Sequence, residues 1–310
     1  MARSFTLVQL RYFASVAETE NMTESAGRLN ISQSALSSAI SQLEKELGAQ
    51  LFMRRHQRGI VLTDVGRLLA QELRPFLDHA DRLFDIVHGA AHELDGDLTV
   101  GMFAPFASFR APLILKAFED HYPKVRVTFV EGDLEYLGRA LLDGRCELAL
   151  MYDIGAVDGL ETTAIEVLPP HVILPADHPL AGRPEEDVSL DELAEEPLIL
   201  LDLPHTREYF LDLFTAQGIT PVVRHRVSGY ETVRSYVAGG FGYSILNQRL
   251  PGDSTYLGRD VAVRSLRGAH RPIRAVLARP VGLRPTRRAS AFEDVCRRLF
   301  SQQPDESAID

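Results

Sequence analysis

Long apolar runs are missing from these 310 residues: none approaches the roughly 20 that a membrane span needs, so no spanning helix is expected. The N-terminus also lacks the apolar core of an export signal, and the cytoplasm is the expected compartment. Cysteine is scarce. Cys146 and Cys296 are too few for a disulfide scaffold, and each sits in an apolar pattern that suits a small buried thiol; a redox switch would need them close together. Catalytic signatures are lacking too. There is no G-x-S-x-G, no H-E-x-x-H and no Cys/His cluster at metal spacing, so the expectation is no enzyme, no cofactor and no metal. Gly239-Gly240-Phe241-Gly242 looks like a phosphate loop, but it follows a helix pattern and precedes a strand pattern, the reverse of a dinucleotide fingerprint. It reads as a helix-ending turn. Net positive charge is absent as well: the chain carries −10 at pH 7, which excludes a protein coated in nucleic acid over its whole surface.

What basic charge there is has been placed. Through residue 62 seven bases outnumber five acids, and Arg54, Arg55 and Arg58 share one hairpin tip between Leu51-Phe52-Met53 and Ile60-Val61-Leu62. Such a tip can grip a phosphate backbone. Ahead of it lie three helices. Thr6 with Gln9 makes a capping box for the first, which carries Leu7, Leu10, Phe13, Ala14 and Ala17 on one face. Asn21 with Glu24 starts the second. Asn30 ends it, because Asn tolerates a left-handed backbone, and Ser32 caps the third. There Leu36, Ile40, Leu43 and Leu47 form a buried stripe. The opposite face holds Gln33, Ser34, Ser37, Ser38, Ser41 and Gln42, with no acid before Glu44. It can approach phosphates and base edges without like-charge repulsion, and an ordinary solvated face would carry Glu and Lys instead. Three helices and a hairpin make a winged helix-turn-helix over residues 1–62.

Residues 63–92 read as one long helix capped by Thr63 and bent by Pro75. Its Leu69, Leu73, Phe76, Ala80, Leu83, Val87 and Ala90 alternate at steps of four and three, a coiled-coil seam that predicts a dimer. His92 to Gly96 reads as a hinge. Beyond it strand and helix patterns alternate, which predicts a parallel sheet covered by helices on both faces. A second unit of the same kind begins near Val167. The strand Ile273 to Ala278 and the helix Phe292 to Phe300 could return to the first unit. The expected α/β architecture therefore has two lobes, about 97–166 with 267–304 and about 167–266, within a domain over 93–304.

The order S-Q-S-A-L-S, I-S-Q-L-E-K-E-L-G, L-F-M-R and L-T-D-V-G resembles the N-terminus of LysR-type transcriptional regulators. The resemblance continues in F-E-D-H-Y-P-K-V-R-V, C-E-L-A-L, D-H-P-L-A-G, S-L-D-E-L-A-E-E-P-L-I and V-A-G-G-F-G-Y-S-I-L, so it covers nearly the whole chain. Glu147 stands where the family usually has Asp, and Asn247 where Pro often follows the last motif. The resemblance implies a DNA-binding winged helix, a linker helix and a two-lobed, periplasmic-binding-protein-like domain whose cleft takes a small organic effector. It further implies a homodimer to homotetramer, double-stranded DNA and RNA polymerase as partners, and no membrane. Two other readings stand beside it: a solute-binding receptor, which the basic hairpin argues against, and a cleft enzyme fused to a DNA-binding module.

In α/β sheets ligands sit beyond the carboxyl ends of strands. That rule, with the family's effector loops, selects Phe103, Phe106 and Ser108, then Tyr152, then His205 and Thr206, and finally Tyr230. Phe103 and Phe106 beside Pro105 are expected to wall the cleft rather than fill a core. His205 could touch ligand or only solvent, and Thr206 could simply cap a helix. Ser228 with Glu231 reads as a capping box, and His225 as exposed.

Overall fold

The computed structural model describes residues 5–55, 59–87, 94–155, 157–182 and 187–301. Helix α1 (Leu7–Thr19) begins at the expected capping box, with Gln9 N donating to Thr6 Oγ1 and Thr6 N to Gln9 Oε1. Helix α2 (Met22–Arg28) starts where the Asn21 side chain accepts from the Thr23 and Glu24 amides. Glu24 does not reach back to complete a box, because its carboxylate takes Arg28 one turn on, at 2.7 Å. Asn30 is left-handed (φ 54°), and Ser32 caps α3 (Gln33–Leu47). Leu36, Ile40 and Leu43 bury beneath it. Strands β1 (Phe52–Arg55) and β2 (Gly59–Leu62) pair antiparallel.

Helix α4 (Asp64–Val87) is long and contains Pro75, with Thr63 Oγ1 accepting from the Gly66 amide at its start. Its seam divides differently from the heptad expectation. Leu73 is 3% exposed and, with Leu69 and Leu77, packs on α1 in the core of the N-terminal domain. A neighbouring element is thus in place to cover that stripe. The pairs Arg11–Asp81 and Arg74–Glu18 hold the same two helices together. A different stripe stays open: Val65, Leu68, Phe76 and Leu83 are each at least 50% exposed. Ala90 and the first two residues of the expected hinge, His92 and Glu93, lie outside the described residues, while Asp95 and Gly96 are already in a strand.

The first lobe begins with β3 (Asp95–Phe103), a single turn α5 (Ala104–Ala107), α6 (Ala111–His121), β4 (Lys124–Gly132), α7 (Leu134–Leu142), β5 (Leu148–Tyr152) and β6 (Leu160–Leu168). The second holds β7 (His171–Pro175), β8 (Pro197–Leu201), α8 (Thr206–Thr215), β9 (Val222–Val227), α9 (Tyr230–Ala238), β10 (Ser244–Leu246) and β11 (Val261–Ser265). Strand β12 (Ile273–Pro280) and α10 (Arg287–Ser301) then go back to the first. Neither sheet is purely parallel. In the order β4-β3-β5-β12-β6, the returning β12 runs antiparallel between β5 and β6. In the second lobe β8 and β9 are parallel, whereas β7 opposes both β10 and β11. Backbone bonds from Ile199 N to Tyr243 O and Tyr243 N to Pro197 O join its two halves into one sheet. The parallel expectation fails where the chain changes lobes, since a strand returning from the other side enters with reversed direction. Strands β6 and β11, half-buried and without a clean apolar–polar alternation, carry too weak a pattern to be read from sequence.

Helix α4 also lies against the first lobe. Gln71 donates to the Leu142 carbonyl, Arg67 faces Asp143, and Asp78 accepts from the Arg287 amide. Crowding at this junction pushes the Glu18 carboxyl up even though about half of its side chain meets solvent; Arg74 opposes that, and Asp97 and Glu147 add to it.

Candidate functional site

Two surfaces stand out, one at each end of the chain's organisation. On the first, Gln33, Ser34, Ser38, Ser41 and Gln42 are exposed along α3, and Ser37 is half-buried. Gln33 Oε1 accepts from Thr23 Oγ1 at 3.3 Å, so α2 steadies the first polar side chain of α3, and Ser34 meets Ser32 at 3.0 Å. The acid that ends this face is turned inward: Glu44 Oε1 accepts from the Leu51 and Phe52 amides at 2.8 and 3.1 Å. One carboxylate therefore removes itself from the open face and fixes the hairpin to α3. Of Arg54 and Arg55 only the backbone, in β1, is described, and Arg58 lies outside the described residues.

The second surface lies between the lobes, where the carboxyl ends of β3, β5 and β6 face those of β8, β9 and β10. Phe103, Phe106 and Tyr152 do come together, with ring centroids 4.8 to 5.8 Å apart. They form a core, not an open wall: Phe103 and Phe106 are fully buried and Tyr152 is 4% exposed. The turn of α5 directs both phenylalanines beneath it. Tyr230 sits across from them, its ring 5.9 Å from Phe109, and its hydroxyl donates to the Gln248 carbonyl. Burial pushes the hydroxyls of Tyr152 and Tyr230 up, so both stay protonated and able to donate.

His205 and Thr206 open α8. His205 is the N-cap, exposed and left-handed (φ 64°), and lines a cavity of about 550 Å³ with Asp153, Gly155, Glu208 and Arg271. Thr206 is not the cap; it is fully buried with Oγ1 unpartnered. Ser108 is exposed as the C-cap of α5, its backbone N–H directed to the Phe106 carbonyl. The Ser228–Glu231 box does not form, since Gly229 is the N-cap and Glu231 instead takes Arg234 at 3.0 Å and the Tyr256 amide at 2.8 Å. His225 is half-buried, its ring against Tyr236 and Phe241. The glycine-rich stretch is a helix-ending turn: Gly239 is the C-cap of α9, and a side chain at Gly242 would strike the Pro197 carbonyl.

Sequence reasoning missed the polar centre of the cleft. Arg110, 7% exposed, bonds Gln248 Oε1 through Nε (3.0 Å) and Nη2 (2.8 Å), while Nη1 meets Glu166 at 2.6 Å. Next to Gln248, the Asn247 amide donates to the Leu168 carbonyl at 2.9 Å and to the Tyr209 hydroxyl at 3.0 Å. The available signal was a lone arginine in the apolar frame F-A-S-F-R-A-P-L. Its partners stand too far along the chain for local patterns to name them. No group of three His, Cys, Asp or Glu suited to a metal occurs among the described residues, and no described helix is long and apolar enough to cross a membrane.

Residues 7–67 match the bacterial regulatory helix-turn-helix protein, lysR family, and residues 91–301 match the LysR substrate binding domain. The HTH-type transcriptional regulator SsuR of Burkholderia cenocepacia is 30% identical over 251 residues, covering 77% of this chain and 78% of that protein. Among solved structures, HinK, a LysR family transcriptional regulator from Pseudomonas aeruginosa, is 30% identical with a TM-score of 0.64, over 96% of this chain and 99% of that one. An H2O2-bound OxyR mutant from Corynebacterium glutamicum is 27% identical with a TM-score of 0.57, over 96% and 93% of the two chains.

Proposed function

The chain belongs to the LysR family of DNA-binding transcriptional regulators, and on that footing we propose how its own residues divide the work. Residues 1–62 bind double-stranded DNA, residues 63–92 join two chains, and residues 93–304 sense a small organic effector, with RNA polymerase as a further partner and the cytoplasm as the setting. Gln33, Ser34, Ser37 and Ser38 approach base edges and phosphates in the major groove, and Arg54, Arg55 and Arg58 neutralise phosphates beside it. The observation that carries this is the exposed, acid-free face of α3, kept free of charge by the inward turn of Glu44. Selecting bound sequences from a random duplex pool tests it. A defined operator with two related half-sites is expected, and a pool without enrichment would overturn the reading.

The dimer forms along the open stripe of α4, Val65, Leu68, Phe76 and Leu83, and two dimers make a homotetramer. The effector fills the cleft between Tyr152, Tyr230, Thr206 and His205, reached past Ser108, and acts by favouring one arrangement of the lobes over another. Phe103 and Phe106 support the site from beneath. Thermal unfolding against a metabolite library identifies the effector, since a ligand at 100 times its Kd stabilises by about 2.7 kcal/mol.

The peroxide found on the OxyR mutant does not transfer readily through a thiolate. Both cysteines are buried, and burial pushes the Cys146 thiol up to about 12 and Cys296 higher still. At neutral pH both remain thiols, which are poor nucleophiles toward peroxide.

A further inference from the structure

Arg110 is held in an unusual way for a buried arginine. Its guanidinium lies near three aromatic rings, 4.7 Å from the Phe300 centroid, 5.6 Å from Phe106 and 5.8 Å from Phe109. Glu166 takes one nitrogen. The other edge, Nε and Nη2, presents two parallel N–H groups, the fork that matches the two oxygens of a carboxylate. Here both point at a single neutral oxygen, Gln248 Oε1. A guanidinium has only donors, so the Gln248 atom facing it must be the oxygen, and the orientation of that amide is fixed by chemistry. Its Nε2 is then a true donor, and although Gln248 is fully buried it makes no hydrogen bond of regular geometry, only the Tyr152 hydroxyl standing near enough to feel it. A buried amide left half-satisfied is a poor permanent occupant.

We propose that the effector is a compound bearing one carboxylate, which takes the place of the Gln248 side chain on the Nε/Nη2 edge of Arg110. The assignment deepens the cleft reading above and rests on it. Two oxygens on the fork give two parallel charge-assisted bonds where one amide oxygen is now shared. Glu166 on the opposite edge limits the site to one added negative charge, so a dicarboxylate would bring a second anion with no cation to meet it. Arg110 and Glu166 belong to the first lobe and Gln248 to the second. Exchanging Gln248 for an external carboxylate therefore cuts a direct tie between the lobes, which makes occupancy of the fork and lobe arrangement parts of one equilibrium.

The test empties the fork and offers it the smallest matched pair of probes. In the full chain carrying Gln248→Ala, sodium acetate is expected to raise the melting temperature more than acetamide at the same concentration and more than sodium chloride at the same ionic strength, with at least a tenfold difference in apparent affinity between acetate and acetamide. The gain should vanish in Gln248→Ala/Arg110→Met. Acetamide matching acetate, or an acetate effect that survives loss of Arg110, would overturn the proposal. Should Gln248→Ala fail to fold, Gln248→Glu supplies the carboxylate from within the chain. It is expected to melt at or above the parent temperature at pH 7, and a lower value would be equally fatal. Operator titration of Gln248→Ala with and without acetate separates the two readings. Acetate bound through Arg110 with operator affinity unchanged upholds the carboxylate site and removes the cleft as sensor. A neutral ligand that shifts operator affinity without Arg110 does the reverse.

Discussion

Gln33 is the residue whose contribution is most exposed to test, because it stands at the N-terminal end of α3, where such helices meet base edges, and is steadied by Thr23. Gln33→Ala should reduce discrimination between operator and random duplex by about 1 to 3 kcal/mol, measured by competition binding. Equal loss on both DNAs would assign it to the phosphates instead. Glu44→Ala should act through stability, since two charge-assisted bonds to the hairpin disappear together; a loss of about 1.5 to 3 kcal/mol is expected in denaturant unfolding. His171 governs part of the acid behaviour. Half-buried in β7, its imidazole is pushed down from 6.5 to about 4, chiefly by burial and secondly by Arg249. The native state thus holds it neutral where the unfolded chain would protonate it, so its contribution is intact above pH 6.5 and is lost as pH falls toward 4. His171→Gln should flatten that part of the stability curve, and an unchanged acid limb would assign the loss to other groups. The residues legible from sequence were those that act on near neighbours: Thr6, Asn30, Ser32 and Thr63 all sit where local chemistry placed them. Arg110 and Gln248, 138 positions apart, were not, because no short-range pattern encodes their meeting.

Helix α4 shows why a heptad count identifies a stripe but not its partner. The spacing of Leu69, Leu73 and Phe76 was read correctly as apolar, yet α1 covers the first two and leaves the third open. The consequence is a pair of contrasting substitutions. Phe76→Glu with Leu83→Glu should yield folded monomers in sedimentation, with weak binding to a full operator. Leu73→Glu should instead unfold the N-terminal domain, because it buries a charge with no partner. If the first pair leaves the oligomer intact, the C-terminal domains hold it. The hairpin is a second element with a scale-specific signature: each arginine among Arg54, Arg55 and Arg58 that neutralises a phosphate should, when changed to Ala, lower the slope of log affinity against log salt by about 0.9. Elements with strong alternation, such as β4 and β9, were evident from sequence. Strands β6 and β11 were not, and with them went the true direction of the sheets.

For the molecule as a whole, the effector can move DNA affinity only through its different affinity for two lobe arrangements. Thr206→Val and Tyr230→Phe should therefore weaken the response to effector while operator affinity in its absence stays close to the parent, as read by calorimetry beside an operator assay. Full effector affinity in both would place the sensor outside the cleft. The two-lobed plan was legible because each lobe repeats a strand and helix rhythm, whereas the polar centre between lobes depends on the docking of one upon the other. The position of β12 carries a consequence of a different kind, about time. Its place between β5 and β6 cannot be filled until the ribosome has made the entire second lobe, about 100 residues later. At roughly 5 to 20 residues per second the newborn first lobe waits about 5 to 20 s with one edge of β5 unpaired and the terminal strand β6 without its partner, while the N-terminal domain, contiguous in sequence, has long since folded. During that interval a nascent chain would already present its α3 face without a completed sensor behind it.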